Sequence, residues 1–119
     1  MSTRTPHAVV VGAGIGGLTV AAALHRAGWS VTVLERAAAL EPAGAGIALA
    51  PNAQRALDTL GVGDRIRAMA AFQGPGSLRR PSGRRLSTTS GEQAAARFGG
   101  PVVVARRTEV VELLAALLP

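Results

Sequence analysis

Apolar residues fall along this chain first in a run, then at helical spacing, then in alternation. Residues 8–11, AVVV, are a short continuous apolar run that stops at Gly12 and reads as a buried strand. From Ile15 to Ala27 the composition turns to Ala and Leu, good helix formers, with Gly28 placed as the C-terminal cap. SVTVLE, residues 30–35, alternates β-branched positions and predicts a second strand. Strand, glycine turn, helix and strand fit into the 28 residues 8–35, the spacing of a βαβ unit with parallel strands and a right-handed crossover.

Beyond it the rhythm loosens. RAAALEPAGAGIALAPNA, 36–53, reads as loop, with Pro42, Pro51, Gly44 and Gly46 as breakers. Asn52 is placed to cap a helix through Leu60, with Leu57 and Leu60 on one face and Gly61 as the stop. GDRIRAMA predicts a further short helix. Residues 72–100 carry many turn formers, and RRPSGRRLS predicts a hairpin about Ser82–Gly83. PVVVA, 101–105, predicts a short strand. RRTEVVELLAALLP predicts a helix with Val110, Leu113, Leu114 and Leu117 at helical spacing.

Composition narrows the chemistry. The 119 residues make one ordinary domain at most. Cysteine is absent, which excludes disulfides, thiolate metal sites and cysteine nucleophiles. His7 and His25 lie on different predicted elements, so no metal-ligand cluster is visible. The net charge of +6 rests on thirteen arginines and no lysine, scattered except for RR pairs at 79–80, 84–85 and 106–107. A nucleic-acid binder shows a basic stripe interleaved with aromatics; here Trp29, Phe72 and Phe98 are the whole aromatic set, and no nucleic-acid partner is expected. Arg4 before an apolar stretch imitates a secretory signal, but Gly12, Gly14, Gly16 and Gly17 interrupt its core. No apolar run reaches the length of a membrane span, so the expectation is a cytoplasmic protein with no membrane partner.

Gly12, Gly14 and Gly17 form G-x-G-x-x-G between the first strand and the first helix. Gly12 permits the tight turn, Gly14 lets a pyrophosphate approach the backbone, and Gly17 lets helix and sheet pack closely. The helix N-terminus offers free N–H groups and the positive end of its dipole to the phosphates. Glu35 closes the second strand 23 residues after Gly12, where a carboxylate accepts hydrogen bonds from ribose hydroxyls and repels a 2′-phosphate. The expected fold is therefore α/β, a Rossmann-like βαβ dinucleotide-binding unit followed by helices and a β-hairpin. Its ligand is an adenine dinucleotide; the fingerprint leaves FAD and NAD both open.

GAGIGGLTVAAALHRAGWSVTVLER followed by GAGIALAPNAQRALDTLGV resembles the FAD-dependent monooxygenases of the aromatic-hydroxylase type, salicylate-hydroxylase-like members above all. The terminal RRTEVVELLAALLP is similar to that family's segment in which an arginine opens a leucine-backed helix. The resemblance implies that Gly12, Gly14 and Gly17 cradle the FAD pyrophosphate and that Glu35 holds the adenosine ribose. It implies further that Arg36 stands beside the cofactor and that the backbone at Gly46 and Ile47 passes close to the flavin. Arg107, or its neighbour Arg106, would reach toward the phosphate and ribose region. NAD(P)H as co-substrate and a small aromatic substrate follow from the same resemblance. Family members are much longer, and their later Asp-Gly and Gly-Asp motifs and substrate region have no counterpart here. Residues 1–119 would then be the N-terminal part of an FAD-binding domain, incomplete relative to the family, with no catalytic residue assigned and the isolated chain inactive.

Other readings stay open. The chain could be a non-catalytic module or fragment holding an adenine dinucleotide. A small NAD-linked reductase is disfavoured, because Tyr and Lys are absent and no acid–base pair suits proton transfer at a nicotinamide. Two parallel strands with one crossover helix leave a sheet edge and one face poorly covered, so self-association or a C-terminal partner would cover them.

Overall fold

The computed structural model describes residues 4–40, 44–70 and 75–119. In chain order the elements are β1 (His7–Val11), α1 (Ile15–Arg26), β2 (Ser30–Leu34), β3 (Gly46–Leu49), α2 (Pro51–Asp58), α3 (Gly63–Ala68), β4 (Gly76–Arg79), β5 (Arg85–Thr89), α4 (Gly91–Phe98), β6 (Val103–Arg106) and α5 (Arg107–Ala115). They form two compact units, Met1–Ala45 with Arg106–Pro119, and Gly46–Ala105.

In the first unit β1 and β2 pair in parallel, His7 opposite Ser30 through Val11 opposite Leu34. The half-buried Ala8, Val10, Val31 and Val33 share one face. Helix α1 packs on both strands and buries Leu18, Ala21 and Ala22. Alanine at two of those positions permits close approach. Helix α5 packs on α1 and buries Val110, Leu113 and Leu114, each contributing about 1.5–3 kcal/mol by transfer from water. The other sheet face stays open: Val9, Val11 and Leu34 are 56%, 82% and 52% exposed. The predicted βαβ order is present, with its boundaries within a residue or two. Gly28, at φ +85, follows the C-cap residue Ala27, as its placement requires.

The second unit departs more from the pattern. Within the segment read as loop, Gly46–Leu49 is strand β3, paired with β6. Four residues are too few to show alternation, and the pairing partner lies more than fifty positions away. Asn52 is not the cap of α2; Ala50 holds that position and Pro51 is the first helical residue, where its fixed φ suits the start of a helix. Helices α2 and α3 pack together around Leu57, Leu60, Val62 and Ile66, with Leu49, Val103 and Ala105 completing the buried set. The hairpin is present as antiparallel β4 and β5, with Gly83 at φ +85 in its turn and an irregularity between Leu78 and Arg79. Helix α4 was hidden among turn formers. Its start is a Ser90 hydroxyl accepting from the Gln93 N–H, and its stop is Gly99 at φ +82. No helix among the described residues is long and apolar enough to cross a membrane.

Candidate functional site

The first unit places the glycine turn between the end of β1 and the start of α1. Gly12 takes φ +100, a conformation closed to most side chains, and its N–H donates to the Leu34 carbonyl at 2.7 Å. A Cβ at Gly17 would collide with the Gly12 carbonyl and would lie 3.5 Å from Val10 Cγ1, so this position brings α1 down onto β1. At Gly14 and Gly16 an added Cβ meets no atom within 4 Å. The outer side of the turn at Gly14 and Gly16 is therefore free of side chains.

Gly14 is the N-cap of α1 and offers no side-chain acceptor; its carbonyl takes the first helical bond, from Leu18 N–H at 2.9 Å. The N–H groups of Ile15, Gly16 and Gly17 thus precede the helical ladder and are left for an external acceptor. No acidic residue stands in the first turn to compete with an anion.

Glu35 follows β2 directly, and its carboxylate spans two segments. Oε2 accepts from the Ala13 N–H at 2.7 Å and Oε1 from the Ala37 N–H at 3.0 Å. Those donors, Ala37 first and Ala13 second, hold its carboxyl below the usual carboxylate range. Exposed Arg36 adjoins it and adds a smaller attraction. Arg107 opens α5 as an exposed side chain, and its Cδ lies 3.9 Å from where a Gly44 Cβ would stand. Arg106, the N-cap residue of α5, is also exposed. Two cations at a helix N-terminus oppose its dipole, and Glu109 in the first turn offsets them in part.

The structure brings Gly12, Gly14, Gly17 and Glu35 together around one turn, with Arg36 next in chain to Glu35. Gly46 and Ile47 belong to the second unit. They lie in strand β3 rather than in a loop: a Cβ at Gly46 would stand 3.5 Å from the Ala105 carbonyl, and Ile47 is half-buried. Sequence reasoning missed Gln54 in that unit. It is 4% exposed, and its Nε2 donates to the Leu49 carbonyl at 2.8 Å and the Pro101 carbonyl at 2.7 Å, tying the end of β3 to the approach to β6. A polar residue inside the apolar face of α2 was the available signal. No group of three or more potential metal ligands occurs among the described residues.

A family model for the FAD binding domain matches residues 5–110. The chain is 40% identical to a 3-amino-4-hydroxybenzoate 2-monooxygenase of Streptomyces platensis over 121 aligned positions, covering 100% of this chain and 31% of that protein. It is 43% identical to a 3-hydroxybenzoate 6-hydroxylase of Polaromonas naphthalenivorans over 110 positions, covering 86% of this chain and 26% of that protein. Among solved structures, Klebsiella pneumoniae HpxO complexed with FAD and uric acid superposes with a TM-score of 0.83 at 26% identity, covering 98% of this chain and 29% of that one. The tetrameric form of 2-methyl-3-hydroxypyridine-5-carboxylic acid oxygenase gives 0.79 at 29% identity, covering 96% and 30%. The chain thus spans less than a third of the length of each of these proteins.

Proposed function

Because this chain belongs to the FAD-binding domain family, we propose that residues 1–119 are the N-terminal part of the FAD-binding domain of a flavin-dependent monooxygenase. The whole protein would hydroxylate an aromatic or similar small molecule with NAD(P)H and O2, in the cytoplasm where reduced nicotinamide is supplied. The observation that carries the reading is the turn itself: an open glycine face at a helix N-terminus, with a charged carboxylate at the end of the neighbouring parallel strand.

When bound, FAD supplies the redox and oxygen-transfer chemistry. The work of this chain is holding and orientation. The N–H groups of Ile15, Gly16 and Gly17 would hold the pyrophosphate, with Gly14 keeping a side chain out of its way and Gly12 and Gly17 setting the turn and helix against β1. Glu35 accepts from the adenosine ribose hydroxyls and repels a 2′-phosphate, which selects FAD or NAD over NADP at this turn. Arg36 and Arg107 would add positive charge toward phosphate and ribose. The open face with Val9, Val11 and Leu34 is covered by further polypeptide or by a second copy of the chain.

Titration of the purified chain with FAD, and with NAD in parallel, tests the assignment. A ligand that binds only the native state raises its melting temperature, so FAD is expected to raise it and to change flavin fluorescence, with NAD weaker. Binding of neither removes the cofactor assignment from this chain. Binding of FAD without a change at the flavin ring favours the second reading, a module that grips only the ADP half.

A further inference from the structure

We propose that Glu35 is a latch that sets the glycine turn before any dinucleotide arrives, and that the Ala13 N–H is thereby withheld from the phosphate receptor. The latch does not depend on the FAD reading; only its effect on ligand affinity rests on it. Ala13 is 8% exposed, so its N–H has little access to water and needs a protein acceptor. Glu35 Oε2 is that acceptor at 2.7 Å, across 22 positions of chain. One residue earlier, the Gly12 N–H is tied to the Leu34 carbonyl at 2.7 Å. Two consecutive amides of the turn are therefore fastened to two consecutive residues at the end of β2, one through main chain and one through a carboxylate. The second carboxylate oxygen accepts from Ala37 N–H at 3.0 Å, so the side chain is held from both sides.

Two consequences follow for binding. The receptor for phosphate narrows to the amides of Ile15, Gly16 and Gly17, because the Ala13 donor is already committed. A carboxylate has about four acceptor directions, and Ala13 and Ala37 take one on each oxygen, so a ribose hydroxyl could donate to a remaining direction without opening the latch. Glu35 acts on the phosphates as a positioning residue, through the turn that it holds.

Amide exchange in the ligand-free chain, followed by NMR, reads the latch directly. Glu35→Ala is expected to speed exchange at Ala13 and Ala37 at least tenfold while Val33 is unchanged. Glu35→Gln, with one acceptor oxygen left, restores protection at one of the two amides and carries the test should the alanine variant lose its native spectrum. A second arm measures affinity for 2′,3′-dideoxy-ADP, which has no ribose hydroxyls for Glu35 to accept from. Several-fold weaker binding is expected in Glu35→Ala, and in Glu35→Gln where Ala13 is the amide that loses protection, although loss of a negative charge alone would tighten an anionic ligand. Unchanged exchange at Ala13 in Glu35→Ala, unchanged exchange at both Ala13 and Ala37 in Glu35→Gln, or undiminished affinity for the analogue in a variant that has lost Ala13 protection, overturns the proposal. A wild-type chain that binds neither FAD nor ADP sinks the dinucleotide reading instead, and the exchange arm still decides the latch.

Discussion

The carbonyl oxygen of Gly12 occupies the space that a side chain at Gly17 would need. One contact thus couples the turn conformation to the depth at which α1 sits on β1. Gly17→Ala is expected to destabilise the fold by about 1–3 kcal/mol, the usual cost of overpacking, read as a lower denaturation midpoint. Gly14→Ala is the opposite case. Its Cβ meets no protein atom within 4 Å and its φ of −73 suits alanine, so stability should stay within about 0.5 kcal/mol while FAD affinity falls.

Stability should depend on pH through Glu35. Its folded pKa is depressed below 4.5 by the Ala37 and Ala13 amides, so the unfolded chain binds the proton more readily. The carboxylate therefore contributes stability that is fully present above about pH 4.5 and is lost as pH falls through the lower folded value. Urea titrations across that window should show a decline that is shallower in Glu35→Gln.

Gln54 is the buried polar tie of the second unit. Gln54→Leu removes the donor and strands the Leu49 and Pro101 carbonyls, which should cost about 1–3 kcal/mol. Thermal or urea denaturation checks this, with exposed Asn52→Ala as a control near zero.

Arg107 and Arg106 can be told apart by ligand affinity. Both are exposed, so replacing either with alanine should leave stability within about 0.5 kcal/mol. Arg107→Ala is expected to weaken FAD binding about tenfold, the scale of one charge-assisted hydrogen bond; the larger loss in Arg106→Ala instead would reassign the contact.

Several elements announce themselves within a short window of residues. AVVV before Gly12, the Ala-Leu stretch after it and the leucines of α5 each state their structure through local spacing. Helix α4 was also legible: Ser90 three residues before Gln93 is a capping pattern, and Gly99 is a stop, yet the flanking glycines and arginines masked both. Strand β3 had no comparable signal, because a four-residue strand is defined by its partner rather than by its own composition.

From its sequence alone this protein is committed to a βαβ unit with a glycine turn and an acidic residue closing the second strand, since propensity, periodicity and steric demand act over a few neighbouring residues. Tertiary structure alone decides that Glu35 spends its carboxylate on Ala13 and Ala37, that β3 meets β6, that Gln54 bridges two carbonyls, and that Val9, Val11 and Leu34 lie open. Each of these depends on which distant groups the folded chain brings within hydrogen-bonding or van der Waals reach, a matter of closure in space that no local window of sequence contains.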